Sequence, residues 1–271
     1  MYEFQHPRPV TVALQAISGV VEIAAEDRDT VEVVVEPLDD RDAAREAADK
    51  TRVVLEGDTL VIEVPRAETW RLRRSPRLAI TARVPAGSAL TGRSAAADVR
   101  ASGVWSAVKL DVASADVRID AVTGDVSLDA ASGDLAVGHV GGALKMDGAS
   151  GDLRADDVTG DVKAKSASGG IHLGAVGGSV KASTASGEVR VGRLHQGRSD
   201  ISTASGDVRV GIAAGTGIWL DLNAVSGRMT SDLAPRPDTE PVAASDATVE
   251  LKVRTASGDI HIHRAAESMA A

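Results

Sequence analysis

The stretch Ala131-Ser132-Gly133-Asp134-Leu135-Ala136-Val137-Gly138-His139-Val140-Gly141-Gly142-Ala143-Leu144-Lys145-Met146-Asp147-Gly148-Ala149-Ser150-Gly151-Asp152 contains one full period of a repeat. Ala-Ser-Gly-Asp-like tetrads recur 18 residues apart, at Ala131, Ala149, Ala167 and Ala185. Between them lie Val122-Thr123-Gly124-Asp125, Val140-Gly141-Gly142-Ala143, Val158-Thr159-Gly160-Asp161 and Val176-Gly177-Gly178-Ser179, so the underlying step is nine. In nonads counted from Ala97, position three is always a branched aliphatic, from Val99 and Val108 through Leu135 and Leu144 to Val189. Position five is always apolar, from Ala101 and Leu110 through Val137 and Met146 to Val191. Apolar residues at three and five between polar neighbours are the period-two signature of a half-buried strand. Glycine at position one, with Ser, Thr or Gly before it and often Asp after it, is turn chemistry.

Position eight alternates Val122, Ala131, Val140, Ala149, Val158, Ala167, Val176 and Ala185, so odd and even turns are unlike. Two strands and two unlike corners per 18 residues predict a flattened parallel β-solenoid, rising about 4.8 Å per coil. The small corner residues suggest that the sheets converge at the alanines. On that reading, leucine at Ala131 or Ala149 costs about 1–3 kcal/mol by overpacking.

Composition agrees with a thin core. The 271 residues include three Trp, one Tyr and one Phe, with 27 glycines. The absence of cysteine excludes disulfide scaffolds and thiolate sites. No apolar run approaches the ~20 residues of a membrane helix. The opening Met1-Tyr2-Glu3-Phe4-Gln5-His6-Pro7 lacks the pattern of a secretory signal, and a cytoplasmic location is expected. A net charge of −9 argues against whole-protein attraction to nucleic acid.

Three segments are expected. Residues 1–92 form an irregular β-rich cap, with strands at Val10–Ala16, Val20–Ala24, Val31–Val35 and Leu78–Val84. A hairpin turns at Gly57-Asp58, and one helix over Asp39–Lys50 is capped by Asp. Ser18-Gly19 with Val21 and Ile23 reads as a degenerate rung. Residues 93–264 form the solenoid, regular over 97–196 and looser over 197–264. There Ala234–Ala247 reads as a Pro- and Asp-rich loop, and Val249–Ile262 as the last rung. Residues 265–271 are a mobile tail.

Four features could carry chemistry. The Asp after the turn glycine suggests a calcium-binding β-roll, with Asp116, Asp134 and Asp152 as candidate ligands, but the Gly-Gly-x-Gly-x-Asp spacing is absent. Hydrogen bonding of those carboxylates to turn amides is the simpler account. Outward basic columns run along position four. Acidic residues at positions two and six pair with them on the same face. The acids at position six are replaced by Gly174 and Gly192, so a polyanion on the solenoid is expected near Arg154, Arg190 and Arg209. A basic loop, Arg66, Trp70, Arg71, Arg73, Arg74 and Arg77, can contact an anionic partner or dock on acidic rungs. His261 and His263 share a strand face, short of a metal set. No Ser-His-Asp, phosphate-binding loop or paired-carboxylate pattern is readable, so neither an enzyme nor a cofactor is expected.

The repeated Ala-Ser-Gly-Asp-Val-Arg-Val rungs, the terminal Thr255-Ala256-Ser257-Gly258-Asp259-Ile260-His261-Ile262 and the opening Gly19–Ile23 rung with Asp27–Val33 resemble the bacterial putative-adhesin family of β-strand repeat proteins. These are domains of unknown function related to head-GIN domains. The resemblance implies a right-handed β-helix-like fold, no catalytic residues, and a non-enzymatic structural or interaction role with an unidentified protein or polymer partner. The Arg, Ala and Gly content suggests a soluble actinobacterial member, and the adhesin label sets a cell-surface role beside the cytoplasmic one. A calcium-stabilised β-roll and a self-assembling filament are the alternative readings.

Overall fold

Strand follows strand wherever the nonad pattern runs. The computed structural model describes residues 1–65, 75–233 and 248–265. The described residues are all-β apart from one helix, and the parallel coils form a β-solenoid. It divides into two units, Met1–Gly138 and His139–Ala271.

The first unit contains β1 (Tyr2–Gln5), β2 (Thr11–Glu26), β3 (Thr30–Pro37), α1 (Asp42–Lys50), β4 (Arg52–Glu56), β5 (Thr59–Glu63), β6 (Leu78–Pro85), β7 (Ala89–Trp105), β8 (Ala107–Ser114), β9 (Val117–Val122) and β10 (Val126–Ser132). β11 (Leu135–Val140) spans the junction. The segments Val10–Ala16 and Val20–Ala24 prove to be one strand, β2, which turns a corner at Gly19. β2 pairs in parallel with β7, with Val12 beside Leu90 and Val21 beside Val99. The degenerate rung is therefore a full coil. β8 and β9 stack on β7 with an 18-residue offset, as Val108 on Leu90 and Val117 on Val99 show.

β1 and β3 to β6 cover the outer edge of that first coil. β5 and β6 pair with β2 in parallel, and β4 and β3 then pair antiparallel with β5 and β6. β1 closes the row antiparallel to β3. α1 lies on β3 and β6 through the fully buried Ala44 and Ala47. It starts three residues later than expected. Arg41 holds the N-cap position without a side-chain cap bond. Asp39 instead accepts from the Arg41 amide at 3.2 Å and from its guanidinium, which holds the Asp39 carboxyl below its ordinary range.

The second unit contains β12 (Leu144–Ser150), β13 (Leu153–Val158), β14 (Val162–Ser168), β15 (Ile171–Val176), β16 (Val180–Ser186), β17 (Val189–Leu194), β18 (Gly197–Ser205), β19 (Val208–Ile212), β20 (Ile218–Ser226), β21 (Met229–Ser231), β22 (Val249–Ser257) and β23 (Ile260–Arg264). One ladder runs β12, β14, β16, β18, β22, β20. The other runs β13, β15, β17, β19, β23, β21. The last coil in sequence is therefore not the last in space: β22 and β23 insert between β18–β19 and β20–β21. The expectation that Val249–Ile262 is the terminal rung is corrected. Side-chain chemistry explains the order. The inserted coil offers Val249, Leu251, Val253, Ile260 and Ile262, all fully buried. The outermost coil has polar Ser231 in register with Ile262, and its Met229 is 49% exposed. An interior rung with serine at position five would forgo about 1.5–3 kcal/mol of aliphatic burial.

Positions three and five point inward at every regular rung, as expected. The corners differ from expectation. Val122, Val140, Val158, Val176 and Leu194 are buried, whereas Ala113, Ala131, Ala149, Ala167 and Ala185 are exposed. The small inward residue at that corner is position seven: Thr184, Thr203 and Thr255 are buried there, and each hydroxyl donates to a corner glycine carbonyl, of Gly169, Gly187 and Gly206. Corner glycines with left-handed φ, such as Gly133 at +116°, let the strand continue one residue further inward before turning. Val104 also departs from its column. A register shift after Ala101 leaves it 47% exposed and buries Trp105, whose Nε1 donates to the Ser102 carbonyl at 3.1 Å.

Leucine at Ala131 or Ala149 is therefore expected to change stability by no more than about 0.5 kcal/mol. Thr184→Leu is expected to cost about 1–3 kcal/mol by overpacking and by loss of the corner hydrogen bond. Urea unfolding of the three variants checks this, and the opposite ranking would return the alanines to the core.

Candidate interaction faces

The Asp column is built into the stack. Asp98 accepts from the Asp116 amide and Asp116 from the Asp134 amide, both at 3.0 Å. In the second unit, Asp152 accepts from the Gly170 amide at 2.8 Å and Asp161 from the Ser179 amide at 2.7 Å. Asp207 accepts from the Asp259 amide and Asp259 from the Arg228 amide. Each carboxylate thus caps the corner amide of the adjacent coil rather than of its own turn. Asp116, Asp134 and Asp152 all take part in these corner bonds, and among the described residues no group of three His, Cys, Asp or Glu side chains is placed to hold a metal.

Arg154, His172, Arg190, Arg209, His261 and Thr230 form one in-register outward column on six consecutive strands. Arg154, Arg190 and Arg209 are thereby brought onto one face. Acids at position two meet them two residues earlier on the same strand. Asp152 lies 2.6 Å from Arg154, and Glu188 lies 2.9 Å from Arg190. Glu188 also pairs with Arg209, which has Asp207 at 3.6 Å as well. Losing the position-six acids to Gly174 and Gly192 therefore leaves this column neutralised from the other side. Exposed pairs of this kind contribute about 0–1 kcal/mol each, but they occupy the guanidinium groups.

The opposite ladder carries Lys145, Lys163, Lys181, Asp200, Lys252 and Asp221 in register. Lys145 pairs with Asp147 at 2.8 Å. Lys163, Lys165 and Lys181 are exposed and make no ion pair among the described residues. Lys163 stacks on Lys181, and Lys165 projects from the same strand face as Lys163. Asp161 and Asp200 border the patch. Sequence reasoning passed over Lys165, although the signal was present: position six reads Asp111, Asp129, Asp147 and then Lys165. Further along, the Lys252 ammonium lies 5.8 Å from the centroid of the half-buried Trp219 ring.

Asp207, Arg209, Arg228, Thr230, Asp259 and His261 line a shallow open cleft over β19, β23 and β21. The His261 and His263 rings stack at 5.4 Å, and His261 faces Asp232 at 3.4 Å. Trp70, Arg71, Arg73 and Arg74 lie outside the described residues, as do Arg66, the segment 234–247 and the residues after 265. Among the described residues no helix is long and apolar enough to cross a membrane.

Parallel two-strand coils with polar ladders on their outer faces define a β-solenoid protein. The chain belongs to the Toastrack DUF4097 family, whose profile matches residues 12–263. Solved structures share the architecture at low identity. One described as a putative lipid binding protein, from Parabacteroides distasonis, superposes with a TM-score of 0.55 at 16% identity, over 96% of this chain and 95% of that one. A putative adhesin from the same species gives 0.47 at 14%, over 97% and 95%. A putative adhesin from Bacteroides fragilis gives 0.41 at 12%, over 96% and 95%. At these identities the likeness concerns the fold. Comparison with curated proteins finds no match.

Proposed function

We propose that this chain is a non-enzymatic interaction protein that binds an extended anionic partner along its lysine ladder, and that it works in the cytoplasm as an actinobacterial relative of the head-GIN domains. The observation that carries this reading is the stack of Lys163, Lys165 and Lys181, exposed and unpaired in a chain with 39 acidic and 30 basic residues. Like charges on adjacent strands destabilise a sheet by a few tenths of a kcal/mol or more unless an anion relieves them. Cationic groups repeated every coil suit a partner whose charges also repeat. The overall negative charge confines the attraction to this patch.

Binding of labelled polyphosphate to the full chain at low salt is the test. Lys163→Gln, Lys165→Gln and Lys181→Gln together are expected to weaken it about tenfold or more and to flatten its salt dependence. Arg190→Glu with Arg209→Glu is expected to matter less. Equal binding by the triple variant, or no binding by the native chain, removes the lysine ladder as the docking face.

A further inference from the structure

β20 and β21 form the outermost coil of the second unit's ladders. β20 pairs with β22 and β21 with β23, and among the described residues no strand pairs with their other edges. An open edge exposes a row of backbone N–H and C=O groups, which proteins usually blunt with proline, a bulge or an inward charge. Ile218–Ser231 contains no proline, and its inward positions are Ile218, Leu220, Leu222 and Ala224. These four side chains are only half-buried, and Val225 on the same strand is 83% exposed. Both the backbone and the side chains therefore call for another strand.

The charges identify which one. Arg228 and Asp232 lie two residues either side of Thr230 on the β21 segment. The Arg228 guanidinium has no partner among the described residues, and the Asp232 carboxylate, 3.4 Å from His261, is still 64% exposed. Reversing this segment about Thr230 exchanges the two positions. We propose that the outermost coil pairs with the same coil of a second copy across a twofold axis, with β20 antiparallel to β20 and β21 antiparallel to β21. Arg228 of each copy then faces Asp232 of the other. Because a twofold contact uses the same edge of both copies, it closes as a dimer and does not propagate as a filament.

Sedimentation equilibrium on the full chain, from micromolar to submillimolar concentration, tests this. The native mass is expected to rise towards about 56 kDa, twice the 27.8 kDa of one chain. Arg228→Asp is expected to raise the dissociation constant about tenfold or more by setting like charges opposite each other. Adding Asp232→Arg to the same chain restores the complementarity and the dimer. Unchanged thermal melting of both variants at a dilution where every chain is a monomer shows that the fold is intact, since both side chains are on the surface. A native mass of 27.8 kDa throughout overturns the proposal. So does failure of the charge-swapped chain to recover the association that Arg228→Asp removes.

Discussion

Gly169→Ala lowers the free energy of unfolding by about 3 kcal/mol or more, the scale reached when a strained backbone position also meets a clash. Gly169 turns the corner between β14 and β15 with φ at +150°, which a side-chain-bearing residue rarely adopts. A Cβ there would lie 2.0 Å from the Gly151 carbonyl oxygen and 2.7 Å from the carbonyl carbon, both backbone atoms of the coil beneath. The corner has little room to move aside. The Gly169 amide donates to Ser186 at 3.1 Å and the Gly151 amide to Ser168 at 3.2 Å, so relief would break the ladder that holds three coils together. Gly217→Ala is the control. Its φ is not left-handed and its nearest neighbour would be the Thr248 amide at 4.0 Å, so a change within about 0.5 kcal/mol is expected. Urea unfolding measures both. A Gly169→Ala chain within 1 kcal/mol of the native one would mean that the corners are far more compliant than the stacking distances require.

Leu251→Ala is expected to cost about 2–5 kcal/mol, whereas Leu220→Ala costs at most about 1 kcal/mol. The two leucines hold the same inward position, in register on β22 and β20. Leu251 is fully buried, with coils on both sides of its own, and truncating it leaves a cavity. Leu220 is half-buried on the outermost coil, and water fills part of the space it leaves. A chain that stacked its coils in sequence order would show the reverse ranking, because β22 would then be terminal. Equal or reversed costs in paired unfolding curves would therefore refute the inserted position of β22 and β23.

The regular coils were legible because everything that makes them is local. Alternation at positions three and five sets which side chains face inward, and Gly with Ser and Asp sets where the chain turns. Both signals act within nine residues. The corner at Ala131 was misread for a reason of parity: position seven or position eight can face inward depending on the glycine φ, and the residue letters do not carry φ. The Arg154, Arg190 and Arg209 column was legible as a column. Its pairing with acids at position two was legible as well; that Glu188 reaches both Arg190 and Arg209 was not, because that depends on the neighbouring coil. Lys165 was legible and passed over.

By itself the sequence determined the period, the parallel stack, the thin aliphatic core and the outward polar columns, since each follows from the spacing of side chains along one strand. Only the tertiary structure decided which carboxylate meets which amide, which lysines stay unpaired, and that Val249–Arg264 enters the stack ahead of Ile218–Ser231. Those outcomes depend on what lies one coil above or below. Neighbouring coils are 18, 19, 31 or 52 residues apart in the chain. A repeat that makes every rung resemble every other leaves the choice of neighbour to the sum of burial over the finished stack.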